Sequence, residues 1–249
     1  MDVNLLLTNL INKNVFIFDT ETTGLPERVP NAKWGSSNEY WLYSINEKYD
    51  KSRIVSIAWS SINSFTKLKL KDTEEALNPI HHYIRFPEGF NEIPTSHIHG
   101  ITIEIANTSG VLFNDIFEKN GLYNALMSSE YIIAHNVFFD IYILLNELHR
   151  LNTEKSIKTI LHIQSLIALD RCICTGNISK DICKLEFKNT KFTHTHTHIN
   201  KKSKIQKTYK MPKLTELYTY YYGSEMLNAH NAGGDVKALK MCLLKMLDT

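Results

Sequence analysis

The strongest constraint on the fold is an apolar run, Val15 to Phe18, that ends in two acidic residues, Asp19 and Glu21. β-branched and aromatic residues over this length predict a buried strand, and alternation of side chains puts Asp19 and Glu21 on the same side of its end. Two carboxylates so close together repel each other unless a cation neutralises them. Because hard divalent cations prefer oxygen ligands, the segment predicts a Mg²⁺ or Mn²⁺ site.

The composition is that of an ordinary globular protein. The chain has 249 residues, 43% of them hydrophobic, which predicts one large domain or two small ones. A formal net charge of +2 is too close to balance to indicate a polyanionic partner by itself. The four cysteines include no CxxC pair, which predicts reduced thiols in an intracellular protein that is not secreted. Residues 1–14 lack a basic region and a long apolar stretch, so they predict a short lead-in, neither a signal peptide nor a membrane span.

The hydrophobic periodicity predicts strands first and then alternating helices and strands. Residues 161–170 fit a helix or a strand, and this choice stays open. The predicted strands are 15–18, 53–60, 65–70, 81–86 and 131–134, and the predicted helices are 102–106, 111–126, 137–151, 213–222 and 233–247.

Two segments look like insertions. Residues 26–51 are rich in Pro, Gly, Asn, Ser and aromatic side chains without a steady period, which predicts a long loop, often a functional one. The second, residues 183–212, is strongly basic. It fits a solvated hairpin or loop as well as an arm that contacts phosphates. Within it, His194, His196 and His198 would share one face of a strand, and an exposed polar strand is favoured over a transition-metal site.

Three further polar residues lie near predicted element ends. Asp140 comes in the early turns of the helix that follows the predicted strand 131–134. His230 and Asp235 flank the start of the last predicted helix, where Gly233 and Gly234 allow close approach of the backbone.

With these residues in order, the chain resembles the DEDDh (DnaQ-like) 3′–5′ exonucleases of the RNase H-like superfamily, which include the proofreading exonuclease subunits of bacterial replicases. The D-x-E motif at 19–21 is similar to the first family motif, H-N-x-x-F-D at 135–140 to the second, and H-x-x-x-x-D at 230–235 to the third. Two smaller signatures match at 99–102 and 212–218. Three motifs in register are far more specific than an isolated acidic pair.

The resemblance implies an α/β, RNase H-like fold: a mixed five-stranded central sheet flanked by helices, with residues 1–249 as a single exonuclease domain. It implies a two-metal mechanism with two Mg²⁺ ions, for which Mn²⁺ can substitute. Asp19 would bridge the ions, Glu21 and Asp235 would complete one site, and Asp140 would act directly or through water. His230 would be the general base for the attacking water, because imidazole exchanges protons near neutral pH.

The resemblance also implies a seat for the 3′-terminal nucleotide. For Leu25, Ile98 and Phe139, ordinary packing is an equally good interpretation. The residues of the implied seat are Thr20, Thr22, Leu25, Ile98, His99, Asn136 and Phe139.

The function implied is a metal-dependent 3′–5′ exonuclease that releases nucleoside 5′-monophosphates from single-stranded ends. DNA is the favoured substrate, and a polymerase is a possible partner. No association with a membrane is expected. One alternative is an exoribonuclease, because the same motifs serve both sugars. The other is a non-catalytic subunit of a polymerase or repair assembly, since fold does not guarantee activity. The oligomeric state stays open.

Overall fold

A computed structural model describes residues 8–65, 78–86, 91–187 and 209–247. Within these ranges, five strands form one mixed sheet in the order β3-β2-β1-β4-β5. The central strand β1 is antiparallel to β2 and parallel to β4, and β4 is parallel to β5. The strands are β1 Val15–Thr22, β2 Ile54–Ile62, β3 Ile80–Tyr83, β4 Tyr131–Ala134 and β5 Cys172–Cys174.

Helices cover both faces of the sheet. None of the helices in the described ranges is long and apolar enough to cross a membrane. A short 3₁₀ turn spans Asn46–Lys48. The α-helices are α1 Ser96–His99, α2 Ile103–Ser109, α3 Phe113–Glu118, α4 Leu122–Met127, α5 Val137–Leu151, α6 Glu154–Ala168, α7 Thr175–Ile178, α8 Lys180–Cys183, α9 Leu214–Tyr222 and α10 Ala232–Met246.

The central strand divides its side chains between two hydrophobic cores. Phe16 and Phe18 are fully buried in the core that contains residues of α3 to α6. Val15 and Ile17 are buried in the other core, with residues of α9 and α10. Because side chains alternate along β1, the two cores determine the direction in which each polar side chain at the end of the strand points.

The predicted helix over 111–126 is confirmed only in part, because the structure has two short helices there instead of one. Val111 forms an isolated parallel bridge with Ile84, and the helical stretch is split into α3 and α4. The first helix ends at Glu118 with Lys119 as its C-cap, and Gly121, with a φ of 93°, is the N-cap of α4. Both short helices contribute to the same core, so the apolar spacing continues across the break.

The remaining predictions match to different degrees. The 161–170 ambiguity resolves as helix α6, which ends before Asp170, and the three-residue strand β5 was not predicted. Of the predicted strand 65–70, Phe65 is not in a strand and 66–70 lie outside the described residues. Three further predicted features also lie outside the described residues: 1–7 of the lead-in, 188–208 of the basic insertion, and His194, His196 and His198 within that insertion.

The loop 26–51 contains one isolated bridge, Arg28 to Tyr40, and the 3₁₀ turn. It packs along α5 through polar contacts. The Asn146 side-chain amide donates to the Tyr43 carbonyl at 2.7 Å, and Arg150 pairs with Asp50 at 2.6 Å. The loop is therefore fixed to the helix that carries Asp140.

Candidate active site

Three carboxylates converge where β1 meets the start of α10. Asp19 and Glu21 continue the Val15 and Ile17 side of the strand, which faces α10. Asp235 lies in the first turn of that helix. Each of the three offers a carboxylate oxygen, and these oxygens lie within 4.8 Å of one another. The strand and the helix thus bring together residues more than 200 positions apart in the sequence.

Asp140 reaches the same centre from the other side of the strand. It lies in the first turn of α5 and is 2% exposed. Its Oδ1 accepts the Thr20 backbone N–H at 3.0 Å and the Thr20 hydroxyl at 2.7 Å. Thr20 continues the Phe16 and Phe18 side of β1, which faces α5. The Thr20 side chain, predicted to hold substrate, therefore fixes Asp140 in position.

The site concentrates negative charge that the protein does not neutralise. Burial, followed by the charges of Asp140, Asp235 and Glu21, raises the pKa of Asp19 well above its ordinary value. Burial and the neighbouring carboxylates raise the pKa of Glu21 to about 8. Burial likewise raises the pKa values of Asp140 and Asp235 to about 7, against hydrogen bonds that lower them. In the part of the chain that the structure describes, no Lys or Arg forms an ion pair with any of the four. Closely spaced oxygen donors with uncompensated charge fit a divalent cation.

The stability of the metal-free protein is expected to fall as the pH rises. Because the folded-state pKa of Glu21 is about 8 against an ordinary value of 4.5, the folded state binds more protons between these values. The contribution of Glu21 to the free energy of unfolding is then largest below about pH 4. It decreases as the pH rises and is lost as the pH passes 8. Thermal unfolding in EDTA across this range measures the slope, and Mn²⁺ should restore stability most at high pH.

Glu21→Gln serves as the control for this prediction. Since the amide cannot ionise, the variant should be more stable than the wild type in EDTA at pH 8 and gain less from Mn²⁺. An identical pH slope with and without Mn²⁺ would contradict the electrostatic interpretation.

His230 lies in the exposed turn just before α10, with a φ of 62°. It lines a cavity together with Asp19 and Asp235. Its backbone N–H lowers the pKa of Asp235 by hydrogen bonding. Gly234 must be glycine, because a Cβ there would come within 2.6 Å of the Asn228 carbonyl oxygen. The close approach predicted from the sequence is therefore real, although it occurs inside the first turn of α10.

His99 is fixed by hydrogen bonds at the end of β1. Its Nδ1 accepts the Ile101 N–H at 3.1 Å, so its Nε2 carries the proton and lies 3.0 Å from Thr95 Oγ1. The Thr95 hydroxyl in turn donates to the Thr22 carbonyl at 2.5 Å. Burial lowers the pKa of His99. The neutral ring thus fastens α1 to the strand end, and the Thr22 hydroxyl donates to the Gly24 carbonyl.

The other residues of the predicted seat differ in accessibility. Leu25 is 79% exposed and Ile98 is 49% exposed, so neither belongs to the core. Phe139 is half-buried, with its ring 6.3 Å from that of Tyr40. The Asn136 Oδ1 is buried and has no hydrogen-bond partner in the described structure. The exposed side chains of Leu25 and Ile98 are groups that a substrate can contact.

Two residues near the site were not singled out from the sequence as site residues. His135 donates from Nε2 to the Pro212 carbonyl at 2.9 Å and contacts Thr175 Oγ1 at 3.1 Å, which ties β4 to the segment before α9. Burial lowers its pKa to about 4, so the ring is neutral. Trp34, from the loop 26–51, lines the cavity that contains His230. A tryptophan in a segment without a steady apolar period was the available signal.

Thr20→Val is expected to lower activity or metal affinity by about 10- to 100-fold, the usual cost of losing a residue that orients a metal ligand. The substitution keeps the shape but removes the hydroxyl that donates to Asp140. Hydrolysis rates and Mn²⁺ titrations measure the effect. Thr159→Val is the matched control, because Thr159 is equally buried and its hydroxyl only donates within α6. Equal losses in both variants would show a general packing effect.

Comparisons with known proteins give the fold class. No family model matches the chain, and no curated protein matches it. E. coli exonuclease I in complex with a dT13 oligonucleotide is similar in structure, with a TM-score of 0.54 and 14% identity over 95% of this chain and 41% of that one. The Mg²⁺- and Mn²⁺-bound form of S. pombe Pop2p has a TM-score of 0.54 and 14% identity, covering 98% of this chain and 86% of that one.

A third similar structure is a 3′-exonuclease that recognises the 3′ end of histone mRNA stem-loop, with a TM-score of 0.53 and 11% identity. It covers 95% of this chain and 64% of that one. The chain spans about two fifths of the length of exonuclease I. Together with the sheet topology, these likenesses confirm the predicted α/β, RNase H-like fold with a mixed five-stranded sheet flanked by helices.

Proposed function

We propose that this protein is a metal-dependent 3′–5′ exonuclease that hydrolyses phosphodiester bonds at the 3′ end of single-stranded nucleic acid. The observation that carries the proposal is the convergence of Asp19, Glu21 and Asp235 within 4.8 Å, beside buried Asp140 and exposed His230. The fold is shared with exonuclease I in complex with a dT13 oligonucleotide and with a 3′-exonuclease that recognises the 3′ end of histone mRNA stem-loop.

Asp19, Glu21, Asp140 and Asp235 are the residues that would hold two Mg²⁺ ions, or Mn²⁺. Bound there, the ions supply Lewis-acid stabilisation of the charge on the phosphate and on the leaving oxygen. Thr20 holds Asp140 in position for this role through two hydrogen bonds. The Mg²⁺ and Mn²⁺ in the Pop2p structure support the choice of metal.

His230 would accept the proton of the attacking water. The water oxygen forms the new bond to phosphorus, the bond from phosphorus to the 3′-oxygen of the penultimate nucleotide breaks, and that oxygen takes a proton from solvent. The product is a nucleoside 5′-monophosphate and a strand shortened by one residue. Leu25 and Ile98, both exposed, would hold the terminal base between them.

The finer assignment is a DnaQ-like member of the DEDDh group, in one domain spanning 1–249, acting on DNA with a polymerase as a possible partner. The residue types and spacing of the three motifs support the assignment to the DEDDh group. The proposal includes an intracellular setting, which four free cysteines support. The exoribonuclease alternative has equal structural support, because the TM-score with the histone mRNA 3′-exonuclease is 0.53 and that with exonuclease I is 0.54.

One assay tests these possibilities. Purified protein is incubated with single-stranded DNA, duplex DNA and RNA, each labelled at the 3′ or the 5′ end, in Mg²⁺, Mn²⁺ or EDTA. We expect immediate release of mononucleotides from the 3′ label, progressive shortening of the 5′-labelled strand, and no reaction in EDTA. Faster degradation of RNA than of DNA would establish the alternative substrate. Binding without cleavage would favour a non-catalytic subunit, and metal-independent cleavage would refute the mechanism.

A further inference from the structure

The cavity at the site is larger than the terminal nucleotide requires. Its volume is about 1130 Å³, above the roughly 300–1,000 Å³ typical of pockets for one small ligand. Its lining includes Asp19, Leu25 and His230 but neither Ile98 nor His99. If the terminal nucleotide takes the proposed seat between Leu25 and Ile98, the cavity is left for the strand on the 5′ side of the scissile bond.

Trp34 projects into this cavity from a braced position. The indole is 51% exposed, and the Arg28 guanidinium carbon lies 4.5 Å from its ring centroid. Arg28 is itself held by Glu39, whose fully buried carboxylate oxygen lies 2.7 Å from Arg28 Nε. The cation lies over one face of the indole, and about half of the side chain stays exposed where it lines the cavity.

Gly35 fixes the adjoining backbone from two directions. Its N–H donates to the second Glu39 oxygen, and its carbonyl accepts the Asn177 side-chain amide at 3.0 Å. Its φ of 71° favours glycine, and a Cβ at this position would lie 3.0 Å from the Asn177 side-chain nitrogen. The backbone next to Trp34 is thus held between the buried carboxylate of Glu39 and helix α7, and the Arg28 cation contacts the ring itself. A pre-positioned ring loses little conformational entropy when a ligand binds.

The same cavity carries positive charge suited to phosphates. Lys180 and Lys213 both line it. The charge of the third lining lysine, Lys210, is paired with Glu216 at 2.5 Å. Exposed aromatic rings combined with lysines characterise grooves that bind single strands without sequence preference.

We propose that Trp34 stacks on a nucleobase on the 5′ side of the scissile bond, while Lys180 and Lys213 bind the phosphates of that part of the strand. The inference rests on the proposed exonuclease function and names the part of the substrate that the cavity binds. It predicts that Trp34 governs the affinity for oligonucleotides rather than the chemical step.

Binding is measured without hydrolysis, in EDTA, by tryptophan fluorescence during titration with a short dT oligonucleotide. The chain has three tryptophans, Trp34, Trp41 and Trp59. We expect quenching that is lost in Trp34→Phe and kept in Trp41→Phe. Trp34→Ala should weaken binding by about 5- to 100-fold, as loss of one base stack does. Trp41 is the matched control, because it belongs to the same loop and has Lys48 over its ring but does not line the cavity. An rU oligonucleotide of equal length distinguishes the two sugars.

The p-nitrophenyl ester of thymidine 5′-monophosphate separates this inference from the proposed function, because it has no nucleotide on the 5′ side of the scissile bond. Trp34→Ala should hydrolyse the ester at the wild-type rate and show a raised KM on oligonucleotides with little change in kcat. Unchanged quenching in Trp34→Phe, together with unchanged affinity in Trp34→Ala, would overturn the inference even if hydrolysis is intact. Failure of the wild type to cleave either substrate would overturn the function, and the binding titration would still decide the role of Trp34.

Discussion

Asp19→Asn is expected to abolish hydrolysis and to weaken Mn²⁺ binding together. Asp19 is the carboxylate whose pKa is raised by all three of its neighbours, so it lies where the negative charge is most concentrated. A bound metal contributes several kcal/mol of charge stabilisation in the transition state, and its loss corresponds to a decrease in kcat of about 10³-fold or more. Single-turnover hydrolysis and calorimetric Mn²⁺ titration measure the two effects.

The same substitution should stabilise the metal-free fold, because it removes one charge from a buried group of like charges. Asp115→Asn provides the control. Asp115 forms a surface ion pair with Lys119, and such pairs contribute little to the free energy of unfolding. A variant that retains full activity would exclude Asp19 from the site. A variant that is inactive with wild-type Mn²⁺ affinity would assign Asp19 a role other than metal binding.

The central strand was predictable because its signal is local. The apolar run at 15–18 and the acidic residues after it fix both the burial of β1 and the side on which Asp19 and Glu21 lie. The same alternation explains why Thr20 meets Asp140, but this needed the knowledge that α5 covers the Phe16 and Phe18 face. Sequence alone could thus give candidate residues for the site and not the hydrogen-bond partner of each.

What the sequence did not reveal depends on long-range contacts or on short elements. Strand β5 has three residues, too few for a periodic pattern, and it is defined by its pairing with β4. The break at Gly121 lies within one continuous apolar pattern, because the helices on both sides of it pack in one core. The backbone beside Trp34 is held at Gly35 by Glu39 and Asn177, and no local pattern in 26–51 indicates those contacts.

His230→Ala is expected to lower the rate of the chemical step by about 10²- to 10⁴-fold, the usual contribution of a general base. Mn²⁺ affinity and oligonucleotide binding in EDTA should stay at wild-type values, since His230 is not among the clustered carboxylates. Added imidazole should restore part of the rate, which a purely structural loss would not allow. His162→Ala is the matched control. His162 lies on helix α6, and its ring contacts the Ser129 carbonyl.

The hydrogen bonds of the neighbouring histidines favour His230 for this role. Both ring nitrogens of His99 are engaged, by the Ile101 N–H and by Thr95, and both of His135 are engaged, by Thr175 and the Pro212 carbonyl. Each of these rings is neutral and fixed in position. The exposed ring of His230 has no such hydrogen bond to another described residue, so it can accept a proton without breaking a structural contact. Full retention of the rate in His230→Ala would move the general base to one of the carboxylates and end this assignment.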